Sequence, residues 1–111
     1  MERRKCKRKK VRIEAEMVSG DTTCTGMIEN ISEQGIYLET DSTGPLNTST
    51  RFSPGTQFQV RFQTPDGETL KLDCRVMWSF KTGPYGLRKK IGMEVIFPPP
   101  AYIDFCNTPD D

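Results

Sequence analysis

With 111 residues, 34% of them hydrophobic and 28% charged, the chain has enough material for one compact domain with an ordinary core and too little for two. It holds no histidine and four widely spaced cysteines, Cys6, Cys24, Cys74 and Cys106, so neither a zinc site nor histidine-based acid–base catalysis is expected. The formal charge of +1 hides an asymmetry: residues 1–10 carry seven basic and one acidic side chain, and the remainder carries nine basic and fourteen acidic. A cationic arm therefore leads a mildly acidic body.

No apolar run of eighteen residues follows the arm, so neither a membrane span nor a secretory leader is expected and the chain reads as cytoplasmic. Free thiols follow from that reading. Val11, Ile13, Ala15 and Met17 alternate with Arg12, Glu14 and Glu16, the period of a half-buried strand. Ser19-Gly20-Asp21 forms a turn, and Thr22 to Ile31 reads as a second strand weakened by Gly26. A tight connection from Ser32 to Gly35 leads into a third strand, Ile36 to Thr40.

Residues 41–56 are too polar and too broken by Gly and Pro for a regular element. Phe58, Val60 and Phe62 then alternate with polar residues, and Pro65-Asp66-Gly67 turns the chain into an arm from Thr69 to Phe80. There Leu70, Leu72, Cys74, Val76 and Trp78 are expected inward, with Trp78 in the core. Lys81 to Lys90 is expected to be a loop, its Arg88-Lys89-Lys90 cluster solvated or extending the basic surface. Ile91 to Phe97 is the last strand, stopped by Pro98, Pro99 and Pro100. Beyond them a short turn or helix around Ala101 to Cys106 packs Tyr102, Ile103 and Phe105 on the body. The expected class is all-β: six or so antiparallel strands in a closed or nearly closed barrel, divided as an arm (1–10), a barrel (11–97) and a tail (98–111).

No Gly-x-Ser-x-Gly elbow or phosphate-cradling loop is present, and the carboxylate pairs Glu14 with Glu16 and Asp110 with Asp111 read as a solvated strand face and a tail, so no catalytic residue is expected. Two stretches stand out, Arg3-Arg4-Lys5-Cys6-Lys7-Arg8 and Asn30-Ile31-Ser32-Glu33-Gln34-Gly35. Alone, the second is a turn satisfied by its own Asn and Ser side chains. Together, and in this order, they resemble the PilZ family, whose signatures are Arg-x-x-x-Arg, often preceded by a further Arg, and Asp/Asn-x-Ser-x-x-Gly. Arg3, Arg4 and Arg8 match the first, Asn30, Ser32 and Gly35 the second. The segments Arg75 to Trp78 and Ile91 to Val95 look like later strands of that family.

The resemblance implies a PilZ-type barrel that binds cyclic di-GMP as its ligand, with no cofactor, no metal and no enzymatic activity. By resemblance Arg4 and Arg8 make the principal contacts, Arg3 assists, Asn30 reads a guanine edge, Ser32 reaches a neighbouring polar atom and Gly35 lets the backbone turn sharply. Arginine suits the task, because its planar fork pairs with phosphate or a guanine edge and stacks on purines. Asn30 in place of Asp removes a negative charge that would accept from guanine donors, which bears on affinity. The lysines of the arm contribute field rather than geometry. A protein partner is implied for a receptor of this size, as monomer or dimer. Two alternatives stay open: a nucleic-acid-binding β-barrel, disfavoured because the strands show no evident exposed aromatic series, and a PilZ-like adaptor working through protein contacts without nucleotide.

Overall fold

A computed structural model of the chain describes residues 8–20, 22–41 and 52–107. Strand β1 (Lys9–Ser19) alternates as its sequence dictates: Ala15 and Met17 are buried and Glu14 and Glu16 exposed. It pairs antiparallel with β2 (Thr22–Ile31), and β2 pairs with β3 (Gly35–Asp41) across the short Ser32–Gly35 turn. The hairpin of β4 (Gln57–Gln63) and β5 (Thr69–Thr82) closes through Gly67, whose φ of 92° suits the absence of a side chain. Strand β6 (Arg88–Ile96) returns between β3 and β5. The circuit β1-β2-β3-β6-β5-β4 closes where β4 pairs with β1, so every strand has two neighbours and no sheet edge is left open.

The interior is filled by inward positions from all six strands, with Met17, Ile28, Ile36, Leu38, Val60, Leu72, Val76 and Ile91 fully buried. Each such side chain contributes about 1.5–3 kcal/mol relative to exposure. Phe52, just before β4, is also fully buried and stacks on Phe58 at 5.3 Å. It lies in the stretch read from sequence as polar loop; of that stretch, residues 42–51 lie outside the described residues.

Three expectations change. The segment expected to be a loop from Lys81 to Lys90 is mostly strand, because β5 runs to Thr82 and β6 starts at Arg88, leaving only a turn around Pro84–Gly86. Arg88-Lys89-Lys90 is accordingly not a solvated loop. Arg88 pairs with Glu39 at 3.2 Å, Lys90 with Glu29 at 3.1 Å, and Lys89 is 4% exposed with its ammonium 5.6 Å from the Phe52 ring. Burial, and then the nearby Lys81, lowers the Lys89 pKa.

The tail forms a true helix, α1 (Pro100–Asn107), which proline opens without cost because its missing N–H falls where helices have no intrahelical acceptor. Tyr102 and Cys106 point into the core, and Phe105 packs near Phe62 at 6.1 Å. The third change is Trp78. Between Val76 and Trp78 the β5–β6 register slips, the extra residue of a bulge exposes Met77, and Trp78 comes out on the same side rather than in the core.

Cys74 is fully buried and Cys24 half-buried, and Cys74 and Cys106 are free thiols. Burial, reinforced by Asp73, pushes the Cys74 thiol up to about 12. No helix among the described residues is long and apolar enough to cross a membrane.

Candidate functional site

Register builds the site. Lys10 on β1, Asn30 on β2, Tyr37 on β3, Gly92 on β6 and Trp78 on β5 stand opposite one another across successive strands. The next row along, Ile31, Ile36, Met93 and Val76, is buried, so the first row faces outward. Two slips make this row possible. One at Glu29 lets Ile28 and Ile31, three residues apart, both face the core and turns Asn30 out beside Tyr37. The other is the bulge that turns out Trp78.

Gly92 is the floor of this row, because the Trp78 indole packs against it so closely that a Cβ there would stand 2.4–2.7 Å from three ring atoms. Tyr37 meets Trp78 edge-on at 5.7 Å and 89°, and the Phe80 ring stacks with it at 5.5 Å and 19°. Trp78, Met77 and Phe80 are 38%, 53% and 54% exposed. An exposed aromatic series therefore does exist on the strands, contrary to the sequence reading. Alternation alone hid it, since the bulge reverses the faces after Val76.

Above this floor opens a cleft of about 720 Å³, lined on one side by Arg8 and on another by the Ser32–Gly35 turn. The Arg8 guanidinium lies 4.4 Å over the Tyr37 ring, close enough for a cation–π contact that fixes the start of β1 against the cleft. In the turn, Ser32 N–H donates to Gly35 O at 2.9 Å, and Val95 N–H donates to Gln34 O at 2.9 Å, stitching the turn to β6. Ser32 Oγ accepts from Gln34 N–H at 3.4 Å, the local satisfaction its sequence context predicts.

Gly35 does not occupy the positive-φ region, so it is not required for a sharp turn as expected. What it allows is close approach: a Cβ would stand a tight 3.2 Å from Met93 O and 3.6 Å from Tyr37 Cε1. Glu33 and Glu94 add negative charge to the cleft wall; Glu94 is paired with Arg75 at 2.8 Å, and Glu33 accepts from Asn107 Nδ2 at 2.9 Å.

Of the sequence-predicted residues, Arg8, Ser32 and Gly35 line one cleft. Asn30 is half-buried at its edge, opposite Tyr37 and Lys10 rather than in the lining. Arg3 and Arg4 lie outside the described residues. Tyr37, Met77, Trp78 and Gly92 were not singled out as site residues. The Gly92–Trp78 juxtaposition is a cross-strand relation that only the register reveals. Among the described residues no group of three or more His, Cys, Asp or Glu is placed to hold a metal ion.

Fold and cleft together define a small closed antiparallel barrel with a cleft on its outer face, next to the entry of its first strand. The PilZ domain model matches residues 2–101, and the chain belongs to the PilZ domain family. Solved structures of similar fold include the Bacillus subtilis inhibitor of motility MotI/DgrA, with TM-score 0.71 at 15% identity over 96% of this chain and 50% of that one. The PilZ domain of YcgR from Escherichia coli, solved with c-di-GMP, matches with TM-score 0.69 at 11% identity over 95% of this chain and 86% of that one. Borreliella burgdorferi PlzA, solved in complex with c-di-GMP, matches with TM-score 0.63 at 16% identity over 89% and 47%. The chain thus spans about half the length of MotI/DgrA and of PlzA. No curated protein sequence matches it.

Proposed function

We propose that this chain is a cyclic di-GMP receptor domain and not an enzyme, in which the arm of residues 1–10 closes over ligand held at the Ser32–Gly35 turn. The observation that carries the reading is the single cleft shared by Arg8, Ser32, Gly35 and the partly exposed Trp78. Its volume, about 720 Å³, is in the range of pockets for small organic ligands, roughly 300–1,000 Å³. YcgR and PlzA, barrels of this fold, were solved with that dinucleotide.

The chemistry follows from the side chains. Arg8, already stacked on Tyr37, offers a guanidinium fork to a phosphate or to the O6/N7 edge of guanine, with Arg4 as its partner and Arg3 assisting. Trp78 supplies an apolar face for a purine, worth about 1–3 kcal/mol per stacked base. Asn30, at the rim, offers both donor and acceptor to a base edge, Ser32 a hydroxyl, and Gly35 space. The remaining lysines of the arm draw in a doubly anionic ligand. Affinity near micromolar, about 8 kcal/mol, is the expected outcome once ordering of side chains is charged against these contacts. Closure of the arm changes an exposed surface, which is the signal passed to a protein partner; a cytoplasmic location belongs to the same proposal.

The exposed aromatics give a second reading some ground, since aromatic faces beside a basic arm also suit single-stranded nucleic acid. Glu33 and Glu94 in the cleft wall oppose a long polyanion tracking through it. Calorimetric titration with cyclic di-GMP, its linear form and a short single-stranded RNA separates the readings. Saturable 1:1 or 2:1 binding of the cyclic compound, undisturbed by modest excess of RNA, is expected. RNA binding that displaces the dinucleotide would favour the nucleic-acid reading, and no dinucleotide binding would leave the protein-contact adaptor.

A further inference from the structure

The Ser32–Gly35 turn closes on itself through one short bond, Ser32 N–H to Gly35 O at 2.9 Å, and its other two internal bonds are long. Gly35 N–H reaches Ser32 O at 3.4 Å, and Gln34 N–H reaches Ser32 Oγ at the same 3.4 Å, both at the long limit for N–H···O. What holds the turn from below is the phenol of Tyr102, fully buried beneath it, whose hydroxyl donates to Ser32 O at 2.5 Å and lies 3.3 Å from Gly35 O. Burial drives the Tyr102 pKa far above the usual phenol range, so this donor keeps its proton at every working pH.

The same two-turn helix grips the other side of the cleft. Phe105 O accepts from Lys9 Nζ at 3.2 Å, and that ammonium stands 4.7 Å over the Phe105 ring. Lys9 directly follows Arg8, which lines the cleft. Asn107, at the end of α1, ties Glu33 of the turn. A single helix outside the cleft is therefore fastened both to the strand that Arg8 leads into and to the turn that carries Ser32 and Gly35.

We propose that Tyr102 is a positioning residue for nucleotide binding, the point at which α1 braces the Ser32–Gly35 turn at a fixed spacing from Arg8. The inference rests on the cyclic di-GMP reading above. Without the phenol hydroxyl the turn samples other conformations, and apparent affinity falls by the fraction of time it is competent.

Tyr102→Phe keeps the ring in the core and removes one oxygen. Two measurements on the full chain separate positioning from stability: thermal unfolding by circular dichroism, and cyclic di-GMP affinity by calorimetry at a temperature where wild type and variant are both fully folded. The expected result is binding weakened about tenfold there, the loss of one buried hydrogen bond expressed as a population shift. Trp78 is the one tryptophan in the sequence and lines the cleft, so its emission reports whether the ligand-free site has changed. Asn107→Ala, at an exposed helix end, serves if Tyr102→Phe does not fold: weaker binding at unchanged melting supports the brace. Equal affinity in the folded variant, or an affinity loss that vanishes on cooling, overturns it. Wild-type protein that binds no dinucleotide overturns the functional reading as well, whereas wild type that binds beside an equally tight Tyr102→Phe overturns the brace alone.

Discussion

Gly92→Ala tests the cleft floor by putting one methyl group where the Trp78 indole now lies. A tryptophan side chain presents roughly 250 Å². With 38% of the residue still exposed, about 150 Å² is covered, an upper bound of about 4 kcal/mol at 25 cal/mol/Å². Because Trp78 sits on the outer face, the ring has somewhere to go, and the methyl displaces it rather than splitting the barrel. Only the part of its burial on Gly92 and Tyr37 is lost, so destabilisation of about 1–2 kcal/mol is expected, in the lower part of the range for overpacking a closed core. The effect on ligand is larger in proportion: forfeiting one stacked base costs about 1–3 kcal/mol, or roughly 5- to 150-fold in affinity. The assay is tryptophan emission with calorimetric titration of cyclic di-GMP. A red-shifted emission with weakened binding is predicted. Unchanged emission and affinity would refute the argument that Gly92 exists to seat the indole.

Arg8→Ala is expected to weaken cyclic di-GMP binding by about 2 kcal/mol or more, some thirtyfold, with Lys10→Ala changing it less than about threefold at physiological salt; equal effects measured by calorimetry would mean nonspecific charge attraction. Phe52→Ala removes a fully buried ring stacked on Phe58 and should lower unfolding free energy in urea by about 3–4 kcal/mol; a loss under about 1 kcal/mol would show that the segment before β4 is not part of the core. Glu39 has its carboxyl held below the ordinary value of 4.5, first through its hydrogen bond with Arg88. A carboxylate with a depressed folded pKa adds stability above its unfolded value, and that contribution disappears as pH falls through the folded value. Glu39→Gln should therefore reduce stability near neutral pH and flatten the loss of stability below about pH 4.5; a parallel acid limb in wild type and variant counts against the pairing.

The strands were legible where alternation is unbroken. Val11 to Met17, Phe58 to Phe62 and Leu70 to Val76 face as their spacing predicts, because a period of two leaves little choice once one face is apolar. The reading failed where the register slips. A bulge adds one residue, and that single step carried Trp78 from the expected core to the cleft. Nothing in Met77-Trp78 by itself announces a bulge. The long β5 and β6 ends were hidden by Gly83, Pro84 and Gly86, which mark a turn without stating how short it is.

The site divides in the same way. Arg8, Ser32 and Gly35 stand out in the sequence because their residue types and order are distinctive, and one cleft gathers them; that they hold ligand is the proposal above. Tyr37, Gly92 and the Tyr102 hydroxyl do not stand out in the sequence because what they touch is far away along the chain: Gly92 meets Trp78, and Tyr102 meets Ser32. Lys89 was misjudged for a related reason, as its burial depends on Phe52 arriving from a different segment. Pairwise contacts of this kind leave no periodic trace along a single chain.

The most direct measurement is a titration of isotope-labelled protein with cyclic di-GMP followed by amide and indole resonances. If the cleft is the site, shifts concentrate on Arg8, the Ser32–Gly35 turn, Tyr37, Gly92 and the Trp78 indole, all within or flooring one cavity, and saturate together. Saturable shifts centred instead on Glu16, Thr25 and Arg61, which line a separate hollow of the barrel, or no shifts at all, would contradict it.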